Sequence, residues 1–178
     1  MNITLNYFEL FQLPVSCELN SGQLTRRYRE LQKVVHPDRF ACESDRQQTL
    51  AVQYAAYVNE AYSVLKSPLS RYIYMLQLSG RQVGVEQSMV EDPAFLMEQM
   101  DLQEAVAELS KQSNSGVDLK NLMGQVAAST AELSGEFIRL WQQGGIEALD
   151  QAVLIVCKMQ FIEKVTKKLK QLEFELFD

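Results

Sequence analysis

Apolar side chains recur every three or four positions along most of the 178 residues, the spacing that keeps them on one face of an α-helix. In the first half, Asn6 to Phe11 predicts a short helix ended by Pro14, and Ser21 is the expected cap of a second helix reaching about Val35. At about 100° per residue, Leu24, Tyr28, Leu31 and Val35 share one side of that helix, and Arg26, Arg29 and Lys33 share the other. His36-Pro37 must break it, because proline disfavours helical geometry in the residue before it and has no N–H to donate. A third helix is predicted from about Ser44 to Leu65. Its stripe of Ala51, Tyr54, Ala55, Val58, Tyr62 and Leu65 can pack antiparallel on the second helix, giving a hairpin with HPDRF at its tip. Ser67-Pro68 stops the third helix, and SRYIYMLQL supplies a short fourth.

The second half predicts three longer helices, roughly Pro93–Gln112, Val117–Gln143 and Ile146–Phe177, divided by SNSG and by Gly144-Gly145. Leu119, Leu122, Val126, Leu133, Phe137 and Leu140 form one core stripe; Ile155, Ile162, Val165, Leu169, Leu172 and Leu176 form another. The helix beginning at Pro93 has apolar positions on two sides. With Phe95 at zero, Leu102, Val106 and Leu109 return within roughly 40°, whereas Leu96, Met97 and Met100 lie roughly 100° to 200° away. Glu104 shares that second face and Asp101 flanks it. Such a face fills a wider core or serves as a carboxylate-rimmed binding patch. Phe161, beside Ile162 but off its stripe, is expected to face the same groove.

The expected fold is therefore all-α, with an N-terminal unit at 1–79, a linker at 80–91 and a C-terminal three-helix bundle at 92–178. Composition supports this: 8 Gly and 4 Pro are too few for the turns of a β-barrel or a doubly wound sheet. The net charge of −6 opposes generic binding to nucleic acid or an anionic membrane, which needs a basic field. Charge is also unevenly spread. Residues 1–79 carry 8 basic and 7 acidic side chains, and residues 80–178 carry 9 and 16.

Three scattered cysteines, Cys17, Cys42 and Cys157, make neither a disulfide framework nor a close metal-ligand pair, which fits a reducing compartment. No signal peptide or membrane-spanning run is legible, so a cytoplasmic location is expected. His36 is the only histidine, and no hydrolase elbow or phosphate loop accompanies it. Neither enzyme chemistry, a cofactor nor a metal is expected. A phosphorelay histidine should project from a continuous helix, and Pro37 ends this one. A helix-turn-helix DNA reader is opposed by the global charge and by the length of the connecting loop.

An isolated His-Pro-Asp is usually only a polar turn, but here it joins a basic-faced helix to a helix of about twenty residues. Tyr7, Phe8, Leu10, Leu13 and Pro14 resemble the opening YxxLGLP-type segment of a J-domain, with Gln12 in place of the usual glycine. Val58, Asn59, Ala61, Tyr62, Leu65, Pro68, Arg71 and Tyr74 resemble its closing INxAYxxLxxPxxRxxY pattern. This resemblance implies docking on an HscA/DnaK-class chaperone and stimulation of its ATPase, with His36, Pro37 and Asp38 as the required loop. Arg26, Arg29 and Lys33 would form a rim for an acidic partner. Glu30 interrupts the basic face where several family members are basic.

Beyond the J-domain, DPAFLMEQMDLQEAV and QFIEKV resemble segments of the HscB family of J-type co-chaperones of iron–sulfur cluster assembly, with Met100 and Asp101 where leucine and glutamate are usual. The resemblance implies that Leu96, Met97, Met100, Asp101, Glu104 and Phe161 contact an IscU-type scaffold protein.

Overall fold

The computed structural model describes residues 5–35, 44–84, 93–109 and 116–177. Within these, the helices are α1 (Tyr7–Leu10), α2 (Ser21–Val35), α3 (Asp45–Lys66), α4 (Pro68–Leu78), α5 (Pro93–Leu109), α6 (Gly116–Gln143) and α7 (Ile146–Phe177). The chain divides into two units, 1–75 and 76–178.

The four-residue α1 is too short to be stable alone, and a reciprocal cap holds it. Asn6 Oδ1 accepts from Glu9 N at 3.0 Å, while Glu9 Oε2 accepts from Asn6 N at 2.9 Å. Gln12 ends this turn at φ 53°, a left-handed conformation that costs a residue with a Cβ about 1–2 kcal/mol. That geometry explains the preference for glycine at this place in the motif. The cap of α2 is Asn20, whose Oδ1 accepts from Gln23 N at 2.9 Å; Ser21, the expected cap, is already helical.

In the antiparallel packing of α2 on α3, Leu24 is the one buried side chain of α2 among the described residues. Aromatic and polar contacts extend the seam. Tyr28 stacks on Tyr62 with centroids 4.0 Å apart, Tyr28 Oη donates to Asn59 Oδ1 at 2.9 Å, and Thr25 Oγ1 and Tyr62 Oη lie 3.2 Å apart. Phe8, Phe11, Val58, Ala61, Leu65 and Met75 complete the core of this unit.

Arg71 is buried in this unit, and its guanidinium donates through Nε and Nη2 to Cys17 O at 3.0 and 2.8 Å and through Nη1 to Leu65 O at 2.6 Å. One side chain thereby ties α4 to the chain before α2 and to the last turn of α3. Burial pushes the nearby Cys17 thiol up to about 11, with the Arg71 charge opposing the shift, so this cysteine is a poor nucleophile at neutral pH.

In the second unit α6 and α7 form a long antiparallel hairpin. Its turn uses Gly144 and Gly145 at φ 65° and 85°, where side chains with a Cβ are disfavoured. The core joins Val106 and Leu109 of α5, Leu119, Leu122 and Val126 of α6, and Phe161, Ile162, Val165 and Leu169 of α7. Residues 80–84, expected to begin a linker, are tied to this unit: Arg81 Nε pairs with Asp150 Oδ1 at 3.0 Å, and the Cys157 thiol lies 3.7 Å from Gly84 O. The remainder of the expected linker, 85–91, lies outside the described residues.

Arg71→Ala should remove about 3 kcal/mol of stability by leaving two buried carbonyls without a donor; urea unfolding followed by tyrosine fluorescence measures it, and an unchanged midpoint would contradict the clamp. A second expectation concerns alkali. Burial first, then a hydrogen bond to Glu60 and its charge, push the Tyr7 phenol from 10.0 to about 12. The folded state thus favours the neutral phenol, and this contribution to stability is intact below pH 10 and lost as pH rises towards about 12. Tyr7→Phe should lessen the slope of stability against pH in that window; an unaltered slope would refute the linkage.

Candidate functional site

Two surfaces carry the candidate residues, one in each unit. In the N-terminal unit, Leu24 and Tyr28 turn one side of α2 towards α3, so Arg26, Arg29 and Lys33 are exposed on the other. The cations do not stand alone. Glu30 Oε1 lies 3.9 Å from Arg26 Nε, and Glu30 Oε2 lies 3.4 Å from Arg27 Nη1. Such solvent-exposed pairs contribute at most about 1 kcal/mol to folding, so they shape the field of this face more than its stability. His36, Pro37 and Asp38 lie outside the described residues.

In the C-terminal unit, α5 is held mainly by α7. Phe95 meets Phe161 edge to face with centroids 5.9 Å apart, and Lys158 Nζ lies 5.0 Å from the centroid of the Phe95 ring. Leu102 packs partly buried against the core, while Val106 and Leu109 are within it. The same stripe contains Gln99, 5% exposed. Its position, roughly 40° from Phe95, was visible in the heptad geometry, but its amide disguised it among polar neighbours.

The opposite side of α5 is open. Leu96, Met97 and Met100 are 44%, 68% and 63% exposed, and Asp101 and Glu104 are exposed beside them. Three large apolar side chains within five residues, rimmed by carboxylates, make a surface suited to a partner with an apolar patch and basic edges. Methionine's flexible thioether lets such a surface conform to its partner.

Phe161 departs from the expectation. It is 8% exposed and belongs to the core. The physical reason is the width of the apolar face of α7: Ile155, Val156, Cys157, Met159, Phe161 and Ile162 are all buried, because this helix meets α6 on one side and α5 on another. A residue off the main stripe is therefore still inside. Phe161 supports α5 from beneath and is not part of the open patch. The Lys158 contact had no sequence signal, since it joins residues 63 positions apart on different helices.

Cys17 and Cys157 are buried, and Cys42 lies outside the described residues. Among the described residues no group of three or more His, Cys, Asp or Glu side chains could hold a metal ion. No described helix is long and apolar enough to cross a membrane.

Residues 91–170 match a family model described as the HSCB C-terminal oligomerisation domain. A relative from Aliivibrio fischeri (strain MJ11), named co-chaperone protein HscB homolog, is 40% identical over 172 residues, spanning 97% of this chain and 99% of that one. The chaperone HscB from Vibrio cholerae has a similar structure, with a TM-score of 0.86 and 35% identity over 97% of this chain and 100% of that one. The crystal structure of human co-chaperone protein HscB gives a TM-score of 0.89 at 28% identity, covering 99% of this chain and 86% of that one. The all-helical architecture, with a J-like N-terminal unit and a C-terminal helical bundle, is that of these structures.

The two aromatic and apolar groups on α5 and α7 should separate by stability. Phe161→Ala is expected to cost about 3–5 kcal/mol, whereas Leu96→Ala, Met97→Ala or Met100→Ala should each stay within about 0.5 kcal/mol. Chemical denaturation of the full chain checks this, and a Phe161→Ala protein as stable as the parent would contradict the burial of that ring.

Proposed function

The chain belongs to the HscB co-chaperone family, and from that premise we propose that it is an adaptor that holds an IscU-type iron–sulfur scaffold on the open face of α5 while its N-terminal unit engages an HscA/DnaK-class chaperone and stimulates ATP hydrolysis. The observation that carries this reading is the cluster of Leu96, Met97 and Met100, exposed on a helix whose other side already supplies the core. Among the described residues of the C-terminal unit, none of the three belongs to the core. A binding role accounts for them.

In this reading Leu96, Met97 and Met100 are the apolar anchors for the scaffold, and Asp101 and Glu104 steer and orient it through its basic groups. Phe161 acts indirectly, by fixing the position of α5 through Phe95. On the chaperone side, Arg26, Arg29 and Lys33 attract an acidic surface of the ATPase. The ring of Pro37 lowers the backbone freedom lost on docking, and Asp38 is the partner for a charge-assisted hydrogen bond with an arginine of the ATPase. His36 completes the loop.

The adaptor makes and breaks no bond, and it requires neither a cofactor nor a metal of its own. Its effect is one of effective concentration: a scaffold held by one unit is presented to the chaperone engaged by the other. Nucleic acid and membranes have no part in this role, and the site of action is the cytoplasm.

Steady-state ATPase of a purified HscA-type chaperone, with this protein and an IscU-type scaffold added separately and together, tests the proposal. Together they should stimulate more than the product of their separate effects. His36→Gln should abolish the stimulation by this protein and leave its scaffold affinity unchanged by calorimetry. Leu96→Ala with Met100→Ala should weaken scaffold binding at least tenfold, the loss of about 1.4 kcal/mol or more. Stimulation that survives His36→Gln, or scaffold affinity that survives the double substitution, would overturn the assigned surfaces.

A further inference from the structure

Within α2, Glu30 is the one acidic side chain, and it sits among Arg26, Arg27, Arg29 and Lys33. Its two carboxylate oxygens are divided between neighbours, Oε1 towards Arg26 Nε at 3.9 Å and Oε2 towards Arg27 Nη1 at 3.4 Å. The Glu30 side chain is 55% exposed and that of Arg26 67%, so both reach solvent where an incoming surface would meet them. An exposed pair of this kind does little for folding.

Its consequence is electrostatic. Glu30 cancels one of the positive charges on the face, and its carboxylate stands at ion-pair distance from Arg26 before any partner arrives. A carboxylate on an acidic partner must compete with Glu30 for that guanidinium.

Resting on the chaperone-docking reading above, we propose that Glu30 is a specificity-determining residue, an internal competitor that sets how strongly the basic face of α2 attracts an acidic protein surface. It weakens capture of acidic partners in general and so favours a partner whose carboxylates are placed well enough to displace it. Like-charge and competing-charge elements of this kind are a common means of discriminating between partners that share a charge sign. The net positive charge that remains on the helix provides long-range attraction, which acts through the association rate.

The test compares Glu30→Gln, Glu30→Lys and the unaltered chain for association rate with a DnaK-class chaperone and for the concentration giving half-maximal ATPase stimulation. At about 0.02 M salt Glu30→Gln should associate about threefold faster, and Glu30→Lys, which changes the charge by twice as much, about tenfold faster. At about 0.5 M salt the three should converge, because exposed charges are then screened. Scaffold affinity should be the same for all three. Glu132→Gln, which removes an exposed carboxylate from the C-terminal unit, should leave the rate unaltered.

If Glu30→Gln and the unaltered chain associate equally fast at low salt, or if Glu132→Gln accelerates binding as much as Glu30→Gln, the proposal fails and the docking reading stands. If the unaltered chain gives no stimulation at all, the docking reading fails and takes the proposal with it.

Discussion

A helix that lies mainly against one neighbour can bury only the arc that faces it, and α5 carries apolar residues over more than that arc. The arc is filled by Phe95, Gln99, Leu102, Val106 and Leu109, with Phe95 set against Phe161 of α7. Leu96, Met97 and Met100 fall outside it and remain in water. Exposing this much apolar surface is unfavourable by about 25 cal/mol for each Å², an unreleased driving force that a partner can use. The Phe95–Phe161 contact thus decides both halves of the outcome: it orients α5, and by orienting it leaves the Leu/Met cluster outside.

The N-terminal unit follows a parallel logic with charge in place of grease. Leu24 and the stacked Tyr28 and Tyr62 commit one side of α2 to α3, which leaves the arginines and Lys33 on the other. Arg71, with three hydrogen bonds to Cys17 O and Leu65 O, holds the chain on either side of the α2–α3 hairpin, so the frame of the hairpin is fixed by a residue remote from the basic face. In both units the side chains that fix the frame differ from those offered to a partner. A substitution can therefore be placed on one without disturbing the other.

The helices were legible because strong periodicity coincided with strong punctuation. Ser67-Pro68 and Gly144-Gly145 each end or separate elements as their backbone restrictions require; the first helix stops before Pro14, at the left-handed Gln12, and the expected helix starting at Pro93 is found. A second apolar side of α5 was legible because Leu96, Met97 and Met100 lie far from the core stripe in projection, but a wider core would give the same pattern, and only their exposure places that side outward. Phe161 was misplaced because a projection from one stripe assumes one neighbour, and α7 has two. Asn20 took the capping role expected of Ser21, a shift of one residue that side-chain preference cannot settle when two good caps are adjacent. The Arg71 clamp and the Lys158–Phe95 contact join distant parts of the chain, and no local pattern announces such pairs. His36, Pro37 and Asp38 are assigned their role by the sequence motif and the family.

Hydrogen exchange of the full-length protein, followed by mass spectrometry with each partner added in turn, tests the division into two surfaces most directly. An IscU-type scaffold should slow exchange in peptides covering 96–104 without altering those covering 26–38, and an HscA-type chaperone should do the reverse. Protection of one shared region by both partners, or protection by the scaffold confined to the N-terminal unit, would contradict that division.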